Sequence, residues 1–237
     1  MDTATNFKDR HVVVTGGTGA LGAAVVEALL NAGASCQVPY RNEKSLAGSP
    51  HRDNPRVTFV EVGDLADDAA VSRLYEGQNP LWASIHIAGG FASAPIAHSD
   101  KALLMAQLET NLVSAYLCSR AAAMAMRRLN SGGRIVNVAS RQALEPRLGS
   151  GTVAYTVAKA GVAALTTALA AELVSENILV NAVAPAIMDT PANREAMPDA
   201  DVARWPKAEE VAATILYLAS PGNTVTRGAV IPVYGRS

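Results

Sequence analysis

Tyr155 and Lys159 stand four positions apart in Tyr155-Thr156-Val157-Ala158-Lys159, inside an Ala-rich stretch that reads as helix. Residues four apart on a helix share a face, so a phenol and an ammonium are brought together. A phenol ordinarily ionises near pH ~10. A neighbouring ammonium, joined by any further positive charge, favours the phenolate and brings it toward neutral pH. The pair is therefore suited to passing a proton to or from a substrate oxygen. The plainer alternative is an amphipathic surface pair.

A second feature lies near the start of the chain. Thr15-Gly16-Gly17-Thr18-Gly19-Ala20-Leu21-Gly22 follows the apolar run His11–Thr15 directly and opens a helix that runs through about Asn31. Glycines there let the backbone turn sharply and approach a pyrophosphate. The helix N-terminus supplies free N–H groups and a partial positive charge. The alternative is a tight strand-to-helix turn with no ligand. Two further residues invite attention. Ser140 ends the run Ile135-Val136-Asn137-Val138-Ala139-Ser140, where its hydroxyl could donate to a developing oxyanion or simply cap a helix. Asn111 sits inside a long helical stretch, an interior position its propensity does not favour.

The elements that must position these groups alternate regularly between β-rich and Ala-rich runs. Strands are expected at His11–Thr15, Ser35–Tyr40, 57–62, 81–87, 134–139, 178–184 and 229–233. Helices are expected at 67–76, 101–128, 153–176 and Ala208–Ala219, with a short helix and loop in 41–55 and a mobile flap at 190–206. Parallel neighbours need crossover connections, so this order predicts a single α/β domain over residues 1–237. Its sheet should be doubly wound and mainly parallel, Rossmann-like, with helices on both faces. The ligand crevice should lie at the carboxyl ends of the strands.

The turn fits T-G-x-x-x-[AG]-x-G and the later pair fits Y-x-x-x-K, so the chain resembles the short-chain dehydrogenase/reductase family from about Arg10 to Tyr234. The resemblance implies a nicotinamide cofactor, with Asn111, Ser140, Tyr155 and Lys159 as the catalytic set. It implies cofactor contacts from Gly16, Thr18, Ala20, Leu21, Gly22, Asp64, Leu65, Ala88, Gly89, Tyr155, Lys159, Pro185, Ile187 and Thr190. Asp64 would bond the adenine, Lys159 the nicotinamide ribose, and Asn111 would bend its helix around a water linked to the lysine. Two departures are visible. The family's N-N-A-G reads His86-Ile87-Ala88-Gly89, which leaves His86 as a packed strand residue, and the interval from Ser140 to Tyr155 is about two residues longer than usual. At the end of the second strand, where a carboxylate would pair with a ribose diol, stands Tyr40, followed by Arg41. A guanidinium there can hold a 2′-phosphate, so NADP(H) is favoured, with NAD(H) possible.

Composition narrows the remaining classes. The 237 residues are 49% hydrophobic and 17% charged, enough for a large core, while aromatics at 5% leave packing to Ala, Val and Leu. A net charge of −1 gives no reason to expect nucleic acid. No uninterrupted apolar stretch reads as long enough for a bilayer, and the polar residues 1–10 lack the apolar core of a secretory signal. A cytoplasmic protein with no membrane partner and no metal site is expected, with Cys36 and Cys118 as reduced core thiols. The substrate is expected to be a small ketone or secondary alcohol held by Phe91, residues 141–150, Met188 and the flap. Arg141 and Arg147 could favour an anion. The long Ala-rich helices, with Gly161 allowing close approach, fit a homodimer or homotetramer. Two other readings remain: a non-catalytic dinucleotide-binding scaffold or redox sensor, and a lyase or epimerase that uses its cofactor catalytically.

Overall fold

The computed structural model describes residues 5–76 and 80–237; residues 1–4, the first part of the polar N-terminal stretch, lie outside these. In chain order the elements are β1 (His11–Thr15), α1 (Ala20–Asn31), β2 (Ser35–Tyr40), α2 (Glu43–Ala47), β3 (Val57–Glu61), α3 (Asp68–Tyr75), β4 (Leu81–His86) and α4 (Lys101–Leu108). There follow α5 (Ser114–Leu129), β5 (Gly133–Val138), α6 (Arg141–Leu144), α7 (Val153–Glu172), β6 (Ile178–Pro185), α8 (Pro191–Ala196), α9 (Ala208–Ala219) and β7 (Val230–Val233). The expected strands are all present, with ends moved by a residue.

The strands form one sheet in the order β3-β2-β1-β4-β5-β6-β7, and every neighbouring pair is parallel. After β3 the chain crosses to the other side of β1 to begin β4. That reversal of winding leaves a crevice at the carboxyl ends of β1 and β4.

Both faces of the sheet are covered, as the near-continuous apolar strands require. On one face Leu21, Val25 and Leu29 of α1 and Val211, Ile215 and Leu218 of α9 pack with Val12, Val14, Ile85 and Val183. On the other, Leu74 and Tyr75 of α3 and Ala122 and Met126 of α5 pack with Val13, Leu81, Ile135 and Val180. The period-two alternation of β1 sends Val12 and Val14 one way and Val13 the other. Cys36 belongs to the first layer and Cys118 to the second, so the sheet lies between two free, buried thiols. Burial pushes each of them up to about 12.

Several expectations are corrected. The helix expected over 101–128 is interrupted by a π turn at Glu109–Val113 that contains Asn111. The helix expected to reach 176 ends at Glu172 and passes into a 3-10 turn at Val174–Glu176. Segment 190–206 holds α8 and a 3-10 turn at Val202–Arg204, and its ends are pinned by Asp189 N–H donating to Pro206 O at 2.9 Å. The signal was legible: Thr190-Pro191 is a capping residue followed by proline at the first helical position. By length and mean hydropathy of 1.4, α7 is long and apolar enough to cross a membrane, contrary to the expectation. Within this fold Ala158, Val162 and Ala170 of that helix are buried. Gly161 gives close approach inside the chain, because a Cβ there would lie 2.7 Å from a methyl of Leu112.

A polar chain threads the second layer. Tyr75 Oη meets Ser84 Oγ at 2.7 Å, Ser84 Oγ meets His86 Nε2 at 2.8 Å, and His86 Nδ1 meets Asn137 Oδ1 at 2.8 Å. Asn137 Nδ2 then donates to Thr166 Oγ1 at 3.0 Å. His86 is thus a packed strand residue with both ring nitrogens engaged. Burial pulls it from 6.5 down to about 4, against the opposing bond from Asn137. Between those values the unfolded chain takes up a proton that the folded chain refuses, so stability falls as pH drops through the window. A shift of that size corresponds to about 3 kcal/mol. In His86→Asn, urea unfolding between pH 6.5 and 4 should lose that part of its slope; an unchanged slope would assign the acid sensitivity elsewhere.

Candidate functional site

The glycine turn forms the first wall of the crevice. Gly16 has φ +69°, and a Cβ there would lie 2.7 Å from the Ala88 amide nitrogen, so only glycine lets β1 and the segment after β4 approach so closely. A Cβ on Gly22 would overlap the Gly16 carbonyl. The N-cap of α1 is Gly19, with no side-chain cap and no acidic residue in the first turn. The N–H groups of that turn are therefore left for a ligand at the positive end of a twelve-residue helix.

From this turn a groove of about 610 Å³ runs along the sheet edge. Gly16, Thr18, Ala20, Leu21, Gly22, Arg41, Asp64, Leu65, Ala88, Gly89 and Thr190 line it, as do Tyr40, Ser45, Thr110, Ser114, Met188 and Asn193. Pro185, Ile187, Tyr155 and Lys159 are not among its lining residues: Pro185 is the last residue of β6, Ile187 is 45% exposed, and Tyr155 and Lys159 lie on α7 beyond the groove's end. Asp64 Oδ1 accepts from Ala66 N at 2.9 Å, so this carboxylate holds its own turn while facing the groove. Arg41 is exposed and makes no ion pair or side-chain hydrogen bond among the described residues. Thr190 Oγ1 caps α8 by accepting from Asn193 N at 3.3 Å, and Asn193 Nδ2 donates to Met188 O at 2.8 Å. Asn193 was missed by sequence reasoning, since an Asn in a Pro-rich segment carries no signal until the helix it belongs to is known.

At the far end of the groove, Gly89 and Gly90 separate it from a buried polar cluster. Asn111 Nδ2 donates to Gly90 O at 2.9 Å and to Gln107 O at 3.1 Å, while Asn111 Oδ1 accepts from Gly90 N at 3.2 Å. The amide thus clamps the backbone of Gly90 to the π turn. A Cβ on Gly89 would stand 2.7 Å from Asn111 Oδ1 and 3.5 Å from Lys159 Nζ. Lys159 itself is buried, and its Nζ donates to Val138 O at 2.8 Å. Burial lowers it from 10.5 to about 8, and no carboxylate pairs with it among the described residues.

Tyr155, one turn earlier on α7, places its ring 5.9 Å from Lys159 Nζ and edge-on to Phe91, with centroids 5.1 Å apart. The lysine is expected to bring the phenol down together with a further positive charge beside it. In the chain alone, burial dominates and raises it above its ordinary value, while the nearby Ser140 hydroxyl pulls part of the way back. Ser140 is 3% exposed, and its Oγ reaches no group of the chain at full hydrogen-bonding geometry. It stands at the N-cap of α6 without capping it, which leaves a buried hydroxyl beside the phenol for a ligand. Ser150, the other serine of this stretch, is exposed. The long interval between Ser140 and Tyr155 is taken up by α6 and a 3-10 turn at Pro146–Gly149. Arg141 does not reach toward the groove: it pairs with Glu145 at 3.2 and 3.3 Å.

A doubly wound parallel sheet, with a glycine cradle at its winding reversal and an unneutralised lysine beyond it, defines a dinucleotide-binding α/β protein. The short chain dehydrogenase family model matches residues 10–201. The chain is 35% identical to galactitol 2-dehydrogenase of Rhizobium johnstonii, over 94% of this chain and 93% of that protein. It is 32% identical to 2,3-dihydroxy-2,3-dihydro-p-cumate dehydrogenase of Pseudomonas putida, over 99% and 96%. A solved short-chain type dehydrogenase/reductase from Mycobacterium ulcerans superposes with a TM-score of 0.88 at 26% identity, covering 98% of this chain and 90% of that one. The chain belongs to the short-chain dehydrogenase/reductase family, oxidoreductases that bind a nicotinamide cofactor and act on small molecules. The glycine cradle, the free helix terminus and the orphaned Ser140 hydroxyl fit such a cofactor and its substrate.

Holding Lys159 as a buried ammonium has a measurable consequence. Its pKa is about 8 when folded against 10.5 unfolded, so below pH 8 the folded state carries a penalty of about 3 kcal/mol. Between those values the unfolded chain binds more protons, and stability rises with pH as the penalty is relieved. Lys159→Met should therefore raise Tm at pH 7 and lose most of that advantage by pH 10. A methionine variant less stable than the parent at pH 7 would contradict this account.

Proposed function

We propose that this chain interconverts a ketone and a secondary alcohol using NADP(H) in preference to NAD(H), with Tyr155 as the acid/base. The observation that carries the reading is the buried Lys159 ammonium, held behind Gly89 by a single carbonyl and placed one helical turn from the phenol. An ammonium has three N–H bonds, and this one gives just one of them to the chain among the described residues. The others are available to a ribose hydroxyl on the groove side and to a water near Asn111.

When bound, the nicotinamide supplies or accepts hydride at the carbonyl carbon. The chain's part is to hold the carbonyl oxygen between Ser140 Oγ and Tyr155 Oη and to deliver a proton to it. Ser140 donates to the oxygen as negative charge builds there. Tyr155 releases its proton to the same oxygen, and Lys159 stabilises the phenolate that remains. Asn111 keeps Gly89 and Gly90 in place, so that Lys159 faces the ribose end of the groove. Gly16, Thr18, Ala20, Leu21 and Gly22 would hold the pyrophosphate, Asp64 and Leu65 the adenine end, and Ala88, Gly89 and Thr190 the nicotinamide end. Two relatives named as dehydrogenases of polyhydroxy or dihydroxy compounds support an alcohol as the reduced form.

Arg41 supports NADP(H). It lines the groove just past β2, has no ion-pair partner among the described residues, and directly follows Tyr40, which stands where a carboxylate would repel a 2′-phosphate. A charge-assisted bond to phosphate contributes about 1.5–3 kcal/mol. Arg41→Ala should therefore raise the KM for NADPH roughly tenfold or more, with little change for NADH. Equal kinetics with the two cofactors in the parent enzyme would overturn the preference.

The decisive test is cofactor oxidation over a panel of small ketones, with the parent and Tyr155→Phe. The variant should bind cofactor as before, yet lose on the order of a hundredfold or more in turnover. In the parent, reduction should slow as pH rises through about 8, because Lys159 gives up its proton there. Undiminished turnover by Tyr155→Phe would remove Tyr155 as the acid/base, and cofactor binding by a parent that turns over no ketone would favour a scaffold or sensor. Turnover with no net change in reduced cofactor would instead indicate a lyase or epimerase.

A further inference from the structure

Ser140 must be held still to be useful, yet no bond of its own side chain holds it. Its hydroxyl has no partner at full hydrogen-bonding geometry among the described residues, and α6, which it precedes, is a single turn of four residues. A helix that short is not stable on local interactions alone. Its backbone contributes Ala143 N–H to Ser140 O at 2.9 Å and Glu145 N–H to Arg141 O at 2.8 Å. Arg141, the first residue of the turn, is tied at both ends. Its guanidinium makes two bonds to Glu145, at 3.2 and 3.3 Å, and lies 4.7 Å from the centroid of the Tyr234 ring.

Tyr234 is distant in sequence and is fixed from its own side. It follows β7, whose last residue Val233 accepts from Ala186 N at 3.2 Å. The chain then turns at Gly235, with φ +63°, and Arg236 N–H donates to Arg204 O at 2.9 Å while Arg204 Nε donates to Arg236 O at 3.1 Å. A Cβ on Gly235 would meet Pro206 N at 2.8 Å, so this turn is closely seated. The Tyr234 ring therefore presents a fixed surface to Arg141. Its phenol is raised by burial and by the hydrogen bond and charge of the Glu145 carboxylate, and lowered by Arg141, which places all three groups together.

We propose that Tyr234 is a positioning residue for Ser140: its ring, stacked against Arg141, clamps α6 and so fixes the hydroxyl at that helix's N-cap. The clamp couples the segment after β7 to the oxyanion side of the site. It also explains why Arg141 is not free to bind an anionic substrate. A cation over an aromatic face at this separation is attractive whether or not the ring carries a hydroxyl. The ring over Arg141, rather than the hydroxyl that meets Glu145, is the operative part, so a phenylalanine that keeps the ring and loses the hydroxyl separates the two.

The catalytic consequence rests on the proposed reductase reading, whereas the clamp itself does not, so two measurements keep the two apart. Hydrogen exchange of the full chain comes first, comparing the parent, Tyr234→Phe and Tyr234→Ala. The alanine variant should show exchange at least tenfold faster at the amides of Ala143 and Glu145, with α7 and the β5 amides unchanged. The phenylalanine variant should match the parent. Ketone reduction comes second. Tyr234→Ala should lower kcat on the order of tenfold, as misplacement of a catalytic group does, with unaltered cofactor affinity, and Tyr234→Phe should restore it. Parent-like exchange in Tyr234→Ala, failure of phenylalanine to rescue, or loss of cofactor binding in step with kcat would each overturn the clamp. Altered exchange in a chain that reduces no ketone would leave the clamp standing and remove the reductase reading alone.

Discussion

An ammonium buried beneath a glycine, with no carboxylate among the described residues to neutralise it, is the constraint around which this fold is arranged. Lys159 is bonded to the Val138 carbonyl at the end of β5 and lies behind Gly89, which has no side chain to interpose between the ammonium and the groove. Such a group lowers stability when it stays charged, and the shift of its pKa to about 8 measures how far the surroundings resist that charge. Pairing it with an aspartate would relieve the strain. It would also consume the donors and the positive field that a neighbouring phenol and a ribose require.

The helix facing that ammonium shows how much backbone regularity is given up for it. At Glu109–Val113 the chain leaves α geometry for a π turn, which swings Asn111 inward to bond both backbone groups of Gly90. Bulges of this kind often accompany function because they place a side chain where a regular helix would not. Gly90 in turn continues the strand-end segment of Ala88 and Gly89, which packs against Gly16 of the glycine cradle. The cradle, the clamp at Gly90 and the ammonium are therefore one continuous contact rather than three separate features.

The two sides of the phenol are built on different principles. On the cofactor side the parts are backbone: a helix terminus, glycines and a strand end, all fixed by the sheet. On the substrate side they are short helices and turns, α6, α8 and the segment after β7, held by side-chain ties such as Arg194 to Asp189 and Arg141 to Glu145 and Tyr234. The first set is shared by anything that binds the same dinucleotide. The second set can vary without disturbing the sheet, which is where substrate selection can reside.

The sequence by itself determined the alternation of strands and helices, the parallel sheet and the glycine turn, because apolar period and glycine placement are local signals. It also paired Tyr155 with Lys159, since helical spacing alone puts them on one face. Only the tertiary structure decided the rest. The resemblance implied a bend at Asn111, but its form as a π turn bonded to Gly90, 21 residues away, was not legible in the local pattern. The upward shift of Tyr155 in the chain alone was not legible either, because it comes from burial by distant segments. Gly161, which suggested contact between chains, is occupied by Leu112 of the same chain. The groove omits Pro185, Ile187, Tyr155 and Lys159, and it gains Asn193 because capping of α8 by Thr190 orients that loop. In each case local pattern names the residue, and long-range packing sets what surrounds it.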